Sequence, residues 1–341
     1  MLRSKDNLLI TEDQGDDHNC GSGAQVTTDD SEKKRRELVA SLSTQRISDI
    51  LNTALPKSAL TSVEELQGGC RNVNLLLRFD GTQVPLVMRI YVRDPAMCQK
   101  EVCILTSAAH HLPVPEIIYV GENGEEGIGP FVLYPYIEGL TFQELKSAGN
   151  LEDMAKAAFA VGQSLARLQA VSPPPPLASS PYASAEQSLS SRVLIQRIGE
   201  RERDRLQDFI SGWLSQVTDL YEDNVLVHGD FNNRNTIIGR QGDQWLVMGI
   251  LDWELAFPGS PLWDAARFIC YERKARPYRE PHFLNGFREE GGELPENWAD
   301  FSRVVNAISI AQSLSDSDVP ARFIPELRDL LSGLIEGRDP A

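Results

Sequence analysis

The sequence predicts an α+β protein of two lobes, with a small antiparallel sheet in the first lobe and mostly helices in the second. The chain has 341 residues, which at about 150 residues per domain indicates two domains or lobes. Short β-prone runs fill residues 60–137, whereas helical patterns dominate from residue 138 onwards. Asp80–Gly81 between two of these runs is typical of a hairpin turn, so the sheet is expected to be antiparallel.

The chain begins with a polar segment that is followed by a helical one. Residues 1–30 have few large apolar side chains, so they bury too little surface to offset chain entropy, and we expect a disordered acidic tail. From Ser31 apolar residues recur at helical spacing up to Leu55, and Pro56 ends this predicted helix.

The later elements follow from changes in hydrophobic spacing. Five β-prone runs form the first lobe, and a helical pattern at 98–112 separates the third run from the fourth. In the second half, residues 151–171 predict a long amphipathic helix. The runs at 236–238 and 245–251 predict two strands, and helical segments follow at 297–335.

Charge and composition exclude several classes of protein. Lysine and arginine total 33 and aspartate and glutamate total 49, which gives a net charge of −16. A protein this acidic is not expected to bind nucleic acid or an anionic membrane surface. The five cysteines include no Cys-x-x-Cys pair, so neither a disulfide scaffold nor a zinc site is predicted. Without a signal-like or membrane-spanning apolar run, we expect a cytoplasmic protein.

The residues that carry chemistry lie in LVHGDFNNRNTIIGRQGDQWLVMGILDWE, residues 226–254. Two strands joined by a polar turn return the chain to its starting end, so Asp230, Asn235 and Asp252 are expected to converge. Carboxylate and amide oxygens are ligands for Mg²⁺, and a carboxylate can accept a hydroxyl proton. Phosphoryl transfer uses both kinds of group, the Mg²⁺ ligands and the proton-accepting carboxylate. Turn-forming residues in a plain hairpin are the alternative, but a turn accounts for only one of these aspartates.

His-Gly-Asp, four further residues, Asn and a later Asp resemble the catalytic core of the aminoglycoside phosphotransferase and choline kinase-like family. The resemblance implies a protein kinase-like fold with a nucleotide-binding lobe at 31–137 and a catalytic and acceptor-binding lobe at 138–341. It implies ATP- and Mg²⁺-dependent phosphorylation of a hydroxyl on a small molecule, either an aminoglycoside-like antibiotic or a small metabolic alcohol. ATP and GTP both remain open as the nucleotide, and no obligate protein partner is implied.

The same resemblance assigns roles within the motif. Asp230 would be the catalytic base, while Asn235 and Asp252 would hold Mg²⁺. His228 and Asp264 would support the catalytic loop from behind.

In the first lobe the resemblance points to a phosphate-binding turn and a cation. Gly68, Gly69 and Asn72 would lay backbone amides over the phosphates, although an ordinary hairpin turn has the same appearance. Arg89 stands where related kinases have a strand lysine, and Glu101 would be its helix partner. A guanidinium binds phosphate with a geometry different from that of an ammonium group. The alternative is that both are surface residues.

The segment 131–139 resembles the connection between the lobes, whose backbone binds adenine. Pro135 has no N–H group, so the donor is expected from Tyr134 or Tyr136. Plain core packing is the alternative for these aromatic residues.

Glu254 is a possible acceptor-binding residue. A set of acidic residues further along could face a polycationic acceptor or simply be solvated: Glu289, Glu290, Glu293, Glu296, Asp300, Asp316 and Asp318.

Two rival functions remain. A nucleotide-binding regulator without turnover, a pseudokinase, is suggested by Arg89 and the ordinary Gly-Gly turn, but the complete catalytic set argues against it. A protein kinase is disfavoured because Asp-Phe-Gly and Ala-Pro-Glu are missing. In addition, the short interval between Asp252 and Asp264 leaves no room for an activation segment.

Overall fold

The computed structural model describes residues 30–55, 59–66, 72–81, 84–92, 94–121, 128–175, 177, 181–213, 225–270, 276–317, 319 and 321–337. The expected disordered tail therefore lies outside the described residues, except for Asp30. The Gly68–Gly69 turn lies outside them as well.

The first lobe is a five-stranded antiparallel sheet with helices on both faces. The strand order is β1-β2-β3-β5-β4. Its elements are α1 (Asp30–Ser41), α2 (Thr44–Ala54), β1 (Leu60–Glu65), β2 (Val73–Phe79), β3 (Leu86–Ile90), α3 (Ala96–Ala108), β4 (Tyr119–Gly121) and β5 (Phe131–Pro135). The hairpin expected at Asp80–Gly81 lies between β2 and β3, with Gly81 at φ 86°.

The single helix predicted from Ser31 to Leu55 is wrong, because the chain breaks after Ser41 and restarts at Thr44. Ser43 causes the restart as an N-cap, since its backbone is extended and its hydroxyl accepts the N–H of Arg46. The apolar spacing continues across the break, which is why periodicity alone did not show it.

Strand β3 lies at the centre of the sheet and is buried at all five positions. Side chains alternate along a strand, so Leu86, Met88 and Ile90 pack against α2, within the core that contains Ile47. Arg89 shares the opposite face with its neighbours two residues away. That face carries α3 and looks towards the second lobe.

The second lobe is mostly helical and contains two small sheets, β6-β8-β9 and β7-β10. Its elements are β6 (Leu140–Thr141), α4 (Phe142–Ser147), α5 (Leu151–Arg167), α6 (Pro181–Leu189), α7 (Arg192–Ile198), α8 (Glu200–Ser211), β7 (Val225–Val227), β8 (Thr236–Gln241), β9 (Gln244–Ile250), β10 (Phe257–Gly259), α9 (Leu262–Ile269), α10 (Arg276–Glu289), α11 (Trp298–Ser315) and α12 (Ile324–Glu336). None of the helices in the described part of the chain is long and apolar enough to cross a membrane.

The hairpin of β8 and β9 fixes the location of the functional loops. Thr236 pairs with Ile250, so the loop before β8 and the residues after β9 lie at the same end. One further bond extends this ladder, from the N–H of Leu251 to the carbonyl of Asn235, at 2.8 Å. The loop that carries Asp230 is therefore held beside the segment that carries Asp252.

Helices α5 and α10 approach so closely that only glycine fits at their contact. A Cβ atom on Gly286 would lie 2.0 Å from the carbonyl oxygen of Phe159. We expect Gly286→Ala to reduce the free energy of unfolding by about 1–3 kcal/mol or more, because the helices must separate and disturb the core. Chemical denaturation measures the change.

Gly212→Ala is the matched control for this substitution. Gly212 has φ −62°, and a Cβ atom there would lie at an ordinary 3.5 Å from its nearest neighbour. We expect no loss of stability from this change. Equal effects at the two glycines would contradict the close helix contact.

Candidate active site

A cleft of about 540 Å³ lies between the lobes. Six of the residues expected from the sequence line it: Asn72, Arg89, Asp230, Asn235, Asp252 and Glu254. These residues come from the first lobe, from the loop before β8 and from the segment after β9. The convergence expected from the hairpin is therefore present.

Asp230 has both carboxylate oxygens held by neighbouring side chains. The amide nitrogen of Asn235 lies 3.1 Å from Oδ2, and a guanidinium nitrogen of Arg267 lies 3.2 Å from Oδ1. The carboxylate is 29% exposed and opens into the cleft. Because Asn235 uses its Nδ2 atom in this contact, its amide oxygen is the atom suited to hold a metal ion.

The backbone of this loop is braced by buried polar groups. Asp264 is fully buried and accepts the N–H groups of His228 at 2.7 Å and Gly229 at 3.0 Å. The Nε2 atom of His228 lies 2.9 Å from the carbonyl oxygen of Leu251, and its Nδ1 accepts the N–H of Asp230 at 3.2 Å. Both side chains thus contact the loop from behind and stay out of the cleft.

Gly229 is required in this loop for two reasons. Its φ of 82° is unfavourable for residues with a side chain. A Cβ atom there would also lie 2.3 Å from the carbonyl oxygen of Leu255. The Gly of the His-Gly-Asp motif therefore has a backbone role, and it allows the turn that presents Asp230.

The buried position of Asp264 makes the stability of the protein depend on pH. Burial raises the pKa of Asp264 from 3.8 to about 6, although His228, the N–H of Gly229 and Arg267 act in the opposite direction. Its stabilising contribution is therefore complete below about pH 4 and is lost as the pH rises through about 6. In Asp264→Asn this titration is missing.

We expect the stability advantage of the wild-type protein over Asp264→Asn to fall between about pH 4 and pH 7, by at most about 3 kcal/mol. Urea denaturation of both proteins across this range measures it, and other titrating groups cancel in the difference. A difference that does not change with pH would contradict the prediction.

Arg89 is the buried cation of the site and contacts three carboxylates. Its Nε lies 3.1 Å from Glu101, and one terminal nitrogen lies 2.5 Å from Asp252 and 3.7 Å from Glu254. Burial alone would lower the pKa of Arg89, but Glu101 and Asp252 outweigh it and raise this pKa well above its usual value. The guanidinium therefore stays charged.

Glu101 joins helix α3 to the second lobe. One oxygen accepts the hydroxyl of Tyr91 at 2.5 Å, and the other accepts the backbone N–H of Trp253 at 3.1 Å. Burial and the neighbouring carboxylate of Glu101 raise the pKa of Tyr91, so its hydroxyl remains a donor. The pair of Arg89 and Glu101 expected from the sequence is thus present. In addition, Glu101 connects the two lobes through its bond to Trp253.

Glu254, the possible acceptor-binding residue, lines the cleft and contacts residues of the first lobe. Its carboxylate is buried and accepts the amide N–H of Asn72 at 2.8 Å. Its backbone carbonyl accepts the ammonium group of Lys100 at 2.6 Å. Glu254 therefore lies on the first-lobe side of the cleft, where it ties the lobes together.

The backbone donor expected for adenine, the N–H of Tyr134 or Tyr136, is corrected by the strand pairing. The N–H of Tyr136 donates to the carbonyl of Pro85 at 2.8 Å. Hydrogen-bonded pairs recur every second residue in an antiparallel ladder, so Tyr134, opposite Val87, also directs its N–H at β3. By the same alternation, the N–H of Ile137 is the next one expected on the other edge, beyond the residues of β5 that pair with β4. Tyr134 keeps a buried side chain in the core cluster with Val87.

The residues fit a magnesium ion that is bound mainly by substrate and water. Within the described part of the chain no group of three or more His, Cys, Asp or Glu side chains is arranged to hold a metal. Mg²⁺ needs no such cage, because it binds through one or two protein oxygens together with phosphates and water. Asp252, at φ 68°, and Asn235 supply two oxygen donors of this kind.

Sequence reasoning missed Arg267 and Lys100. Arg267 lies three residues after Asp264 on helix α9, and Lys100 immediately precedes Glu101. Their positions beside two motif residues were visible in the sequence. Their contacts depend on how α9 and α3 pack.

A two-lobed fold, a cleft between the lobes and a braced loop carrying Asp230 define a protein kinase-like phosphotransferase. A family model, the phosphotransferase enzyme family, matches residues 62–301. The chain belongs to this family. A search of curated proteins gives no match.

Solved structures with the same fold include aminoglycoside phosphotransferases. A mutant of aminoglycoside 2'-phosphotransferase IIIa in complex with GDP has a TM-score of 0.59 at 18% identity, covering 87% of this chain and 96% of that one. Aminoglycoside phosphotransferase APH(4)-Ia has a TM-score of 0.61 at 16% identity, covering 88% and 100%. At these identities the likeness shows the fold alone.

Proposed function

We propose that the protein transfers the γ-phosphoryl group of ATP or GTP to a hydroxyl group of a small molecule in a Mg²⁺-dependent reaction. The observation that carries the proposal is the carboxylate of Asp230, held at both oxygens by Asn235 and Arg267 and open to the cleft shared with Asp252. A plain structural hairpin has no need of an oriented carboxylate in a cleft.

Asp230 would accept the proton of the acceptor hydroxyl while the hydroxyl oxygen attacks the γ-phosphorus. The bond from that phosphorus to the oxygen bridging it to the β-phosphate then breaks, and the nucleoside diphosphate leaves. Asn235 and Asp252 would hold Mg²⁺, which when bound neutralises phosphate charge. Arg89 would contact the phosphates, since its guanidinium already lies at the edge of the cleft.

The nucleotide base would lie at the connection between the lobes. We propose that the N–H of Ile137 donates to the base, since the N–H groups of Tyr134 and Tyr136 are directed at β3. The nucleotide lobe at 31–137 and the catalytic lobe at 138–341 would meet at this connection, between the end of β5 and the start of β6.

AMP-PNP, GDP and hygromycin B occur as ligands in solved structures of this fold. A thermostable mutant of APH(4)-Ia forms a ternary complex with AMP-PNP and hygromycin B, and aminoglycoside 2'-phosphotransferase IIIa forms a complex with GDP. For this chain we propose a small hydroxyl compound, either an aminoglycoside-like antibiotic or a metabolic alcohol.

The second candidate function is a nucleotide-binding regulator without turnover. The observation that favours it is the ion pair of Arg89 with Asp252, which occupies an oxygen expected to bind metal. Release of ADP or GDP in the presence of alcohols, sugars and aminoglycosides separates the two functions. Mg²⁺-dependent release supports the enzyme, whereas tight nucleotide binding without release on every acceptor supports the regulator.

The role of Asp252 in metal binding is tested by nucleotide titration with and without Mg²⁺. Asp252→Asn should weaken Mg²⁺-dependent nucleotide binding, and Asp243→Asn is the matched control because Asp243 is exposed in the turn between β8 and β9. Equal nucleotide affinity in both variants would contradict the metal role.

A further inference from the structure

The end of helix α11 forms one wall of the cleft, and under the proposed function we assign this wall to the acceptor. Ser309, Gln312 and Ser313 line this wall, together with Asp316 just after the helix. Three of these four side chains are uncharged hydrogen-bonding groups. The wall is therefore polar, with a single carboxylate.

The acidic residues that would suit a polycationic acceptor lie elsewhere. Glu290 pairs with Arg167, and Asp300 pairs with Arg303. Of the acidic set named from the sequence, Asp316 alone among the described members lines the cleft. The other three carboxylates of the described lining, Asp230, Asp252 and Glu254, already contact Arg267 or Arg89.

Arg234 places a positive charge in the lining of the same cleft. It is exposed and lines the cleft four residues after Asp230. No described side chain forms a hydrogen bond or ion pair with its guanidinium. Its backbone is held in place, because its N–H donates to the side chain of Asn232 at 2.8 Å.

Arg267 adds a second guanidinium to the cleft lining. Its side chain is 16% exposed and contacts Asp230, whose charge it balances. Asp230 is therefore balanced by Arg267, and the positive charge of Arg234 on the same loop is additional. The protein as a whole has a net charge of −16. Since the overall charge repels anions, an anion would bind here only through a local contact.

We infer that the acceptor is a small hydroxyl compound that carries a carboxylate or phosphate group, and that Arg234 binds this anionic group. The inference rests on the proposed function and narrows its acceptor to one class. A guanidinium binds either group through two parallel hydrogen bonds. Such a contact would hold the hydroxyl at a fixed distance from Asp230.

A matched series of hexoses tests the inference by direct binding. Glucose, gluconate, glucose 6-phosphate and glucosamine share a six-carbon skeleton and differ in charge, and kanamycin adds a polycation. Calorimetric titration is done at constant ionic strength with saturating AMP-PNP and Mg²⁺, so that the nucleotide site is already filled. Gluconate and glucose 6-phosphate distinguish carboxylate from phosphate.

We expect at least one of the two anions to bind about 10- to 100-fold more tightly than glucose and glucosamine, as for a charge-assisted contact. Arg234→Ala should abolish that preference. Arg78→Ala, which removes an exposed arginine of β2 away from the cleft lining, should retain it. In turnover assays Arg234→Ala should raise KM for the acceptor and leave KM for the nucleotide unchanged.

Several outcomes would overturn the inference. Tighter binding of glucosamine or kanamycin, no difference across the series, no binding of any member, or an anion preference that survives in Arg234→Ala would each do so. A raised KM for the nucleotide would instead place Arg234 on the γ-phosphate. The proposed function has its own test, since Mg²⁺-dependent release of ADP or GDP with an acceptor of another charge would preserve it while the inference fails.

Discussion

Asp230→Asn is expected to lower kcat by about 100- to 10,000-fold, the usual contribution of a positioned base. The carboxylate is the group that would take the hydroxyl proton, and an amide oxygen is too weakly basic for this. The shape of the side chain is preserved, but an amide has a single oxygen, so it can accept from Asn235 or from Arg267 and not from both. KM for the nucleotide should change little, because the proposed phosphate and metal contacts are those of Arg89, Asn235 and Asp252.

Single-turnover measurements with saturating nucleotide and acceptor report this loss directly. Thermal unfolding shows whether the variant is folded, and nucleotide titration shows whether the cleft is intact. Asp243→Asn makes the same chemical change on the exposed turn of the β8–β9 hairpin and should retain full activity. A folded Asp230→Asn protein with nearly normal kcat would mean that another group accepts the proton.

Arg89→Met is expected to reduce the free energy of unfolding by about 3–5 kcal/mol, the usual result of removing one partner from a buried ion pair. The arginine contacts Glu101, Asp252 and Glu254. Methionine fills a similar volume but leaves these carboxylates facing one another without a cation. Urea denaturation at low salt measures the loss.

Mg²⁺ should restore part of the free energy of unfolding that is lost in Arg89→Met. A cation held by Asn235 and Asp252 would replace some of the positive charge that Arg89 supplied, so Arg89→Met should be stabilised by Mg²⁺ more than the wild-type protein is. Arg89→Lys is the control, because it keeps the charge with a different geometry. If Arg89→Met is as stable as Arg89→Lys without metal, the cation is not what holds the three carboxylates together.

The location of the catalytic set was predictable from the sequence because it depends on local geometry. Asp230, Asn235 and Asp252 flank two strands joined by a short turn, and a hairpin brings its two ends together whatever surrounds it. The antiparallel first sheet was predictable for the same reason, from the turn at Asp80–Gly81. These inferences needed no knowledge of how the lobes pack.

The contacts that the sequence did not predict join distant segments of the chain. Glu254 contacts Asn72, 182 residues earlier, and Arg267 contacts Asp230 across 37 residues. The adenine donor depends on the register of β5 against β3, because a change of one residue exchanges the N–H groups that face outward. Hydrophobic spacing contains no information on contacts between distant segments or on strand register.

Helix α3 is fastened to the second lobe at two consecutive residues, Lys100 and Glu101, which hold the backbone of Glu254 and Trp253. To swing away from the cleft, the helix would have to break both bonds and leave the buried Arg89 without its main partner. The position of α3 beside the cleft is therefore set when the protein folds. We expect no separate step to be needed that brings this helix against the second lobe.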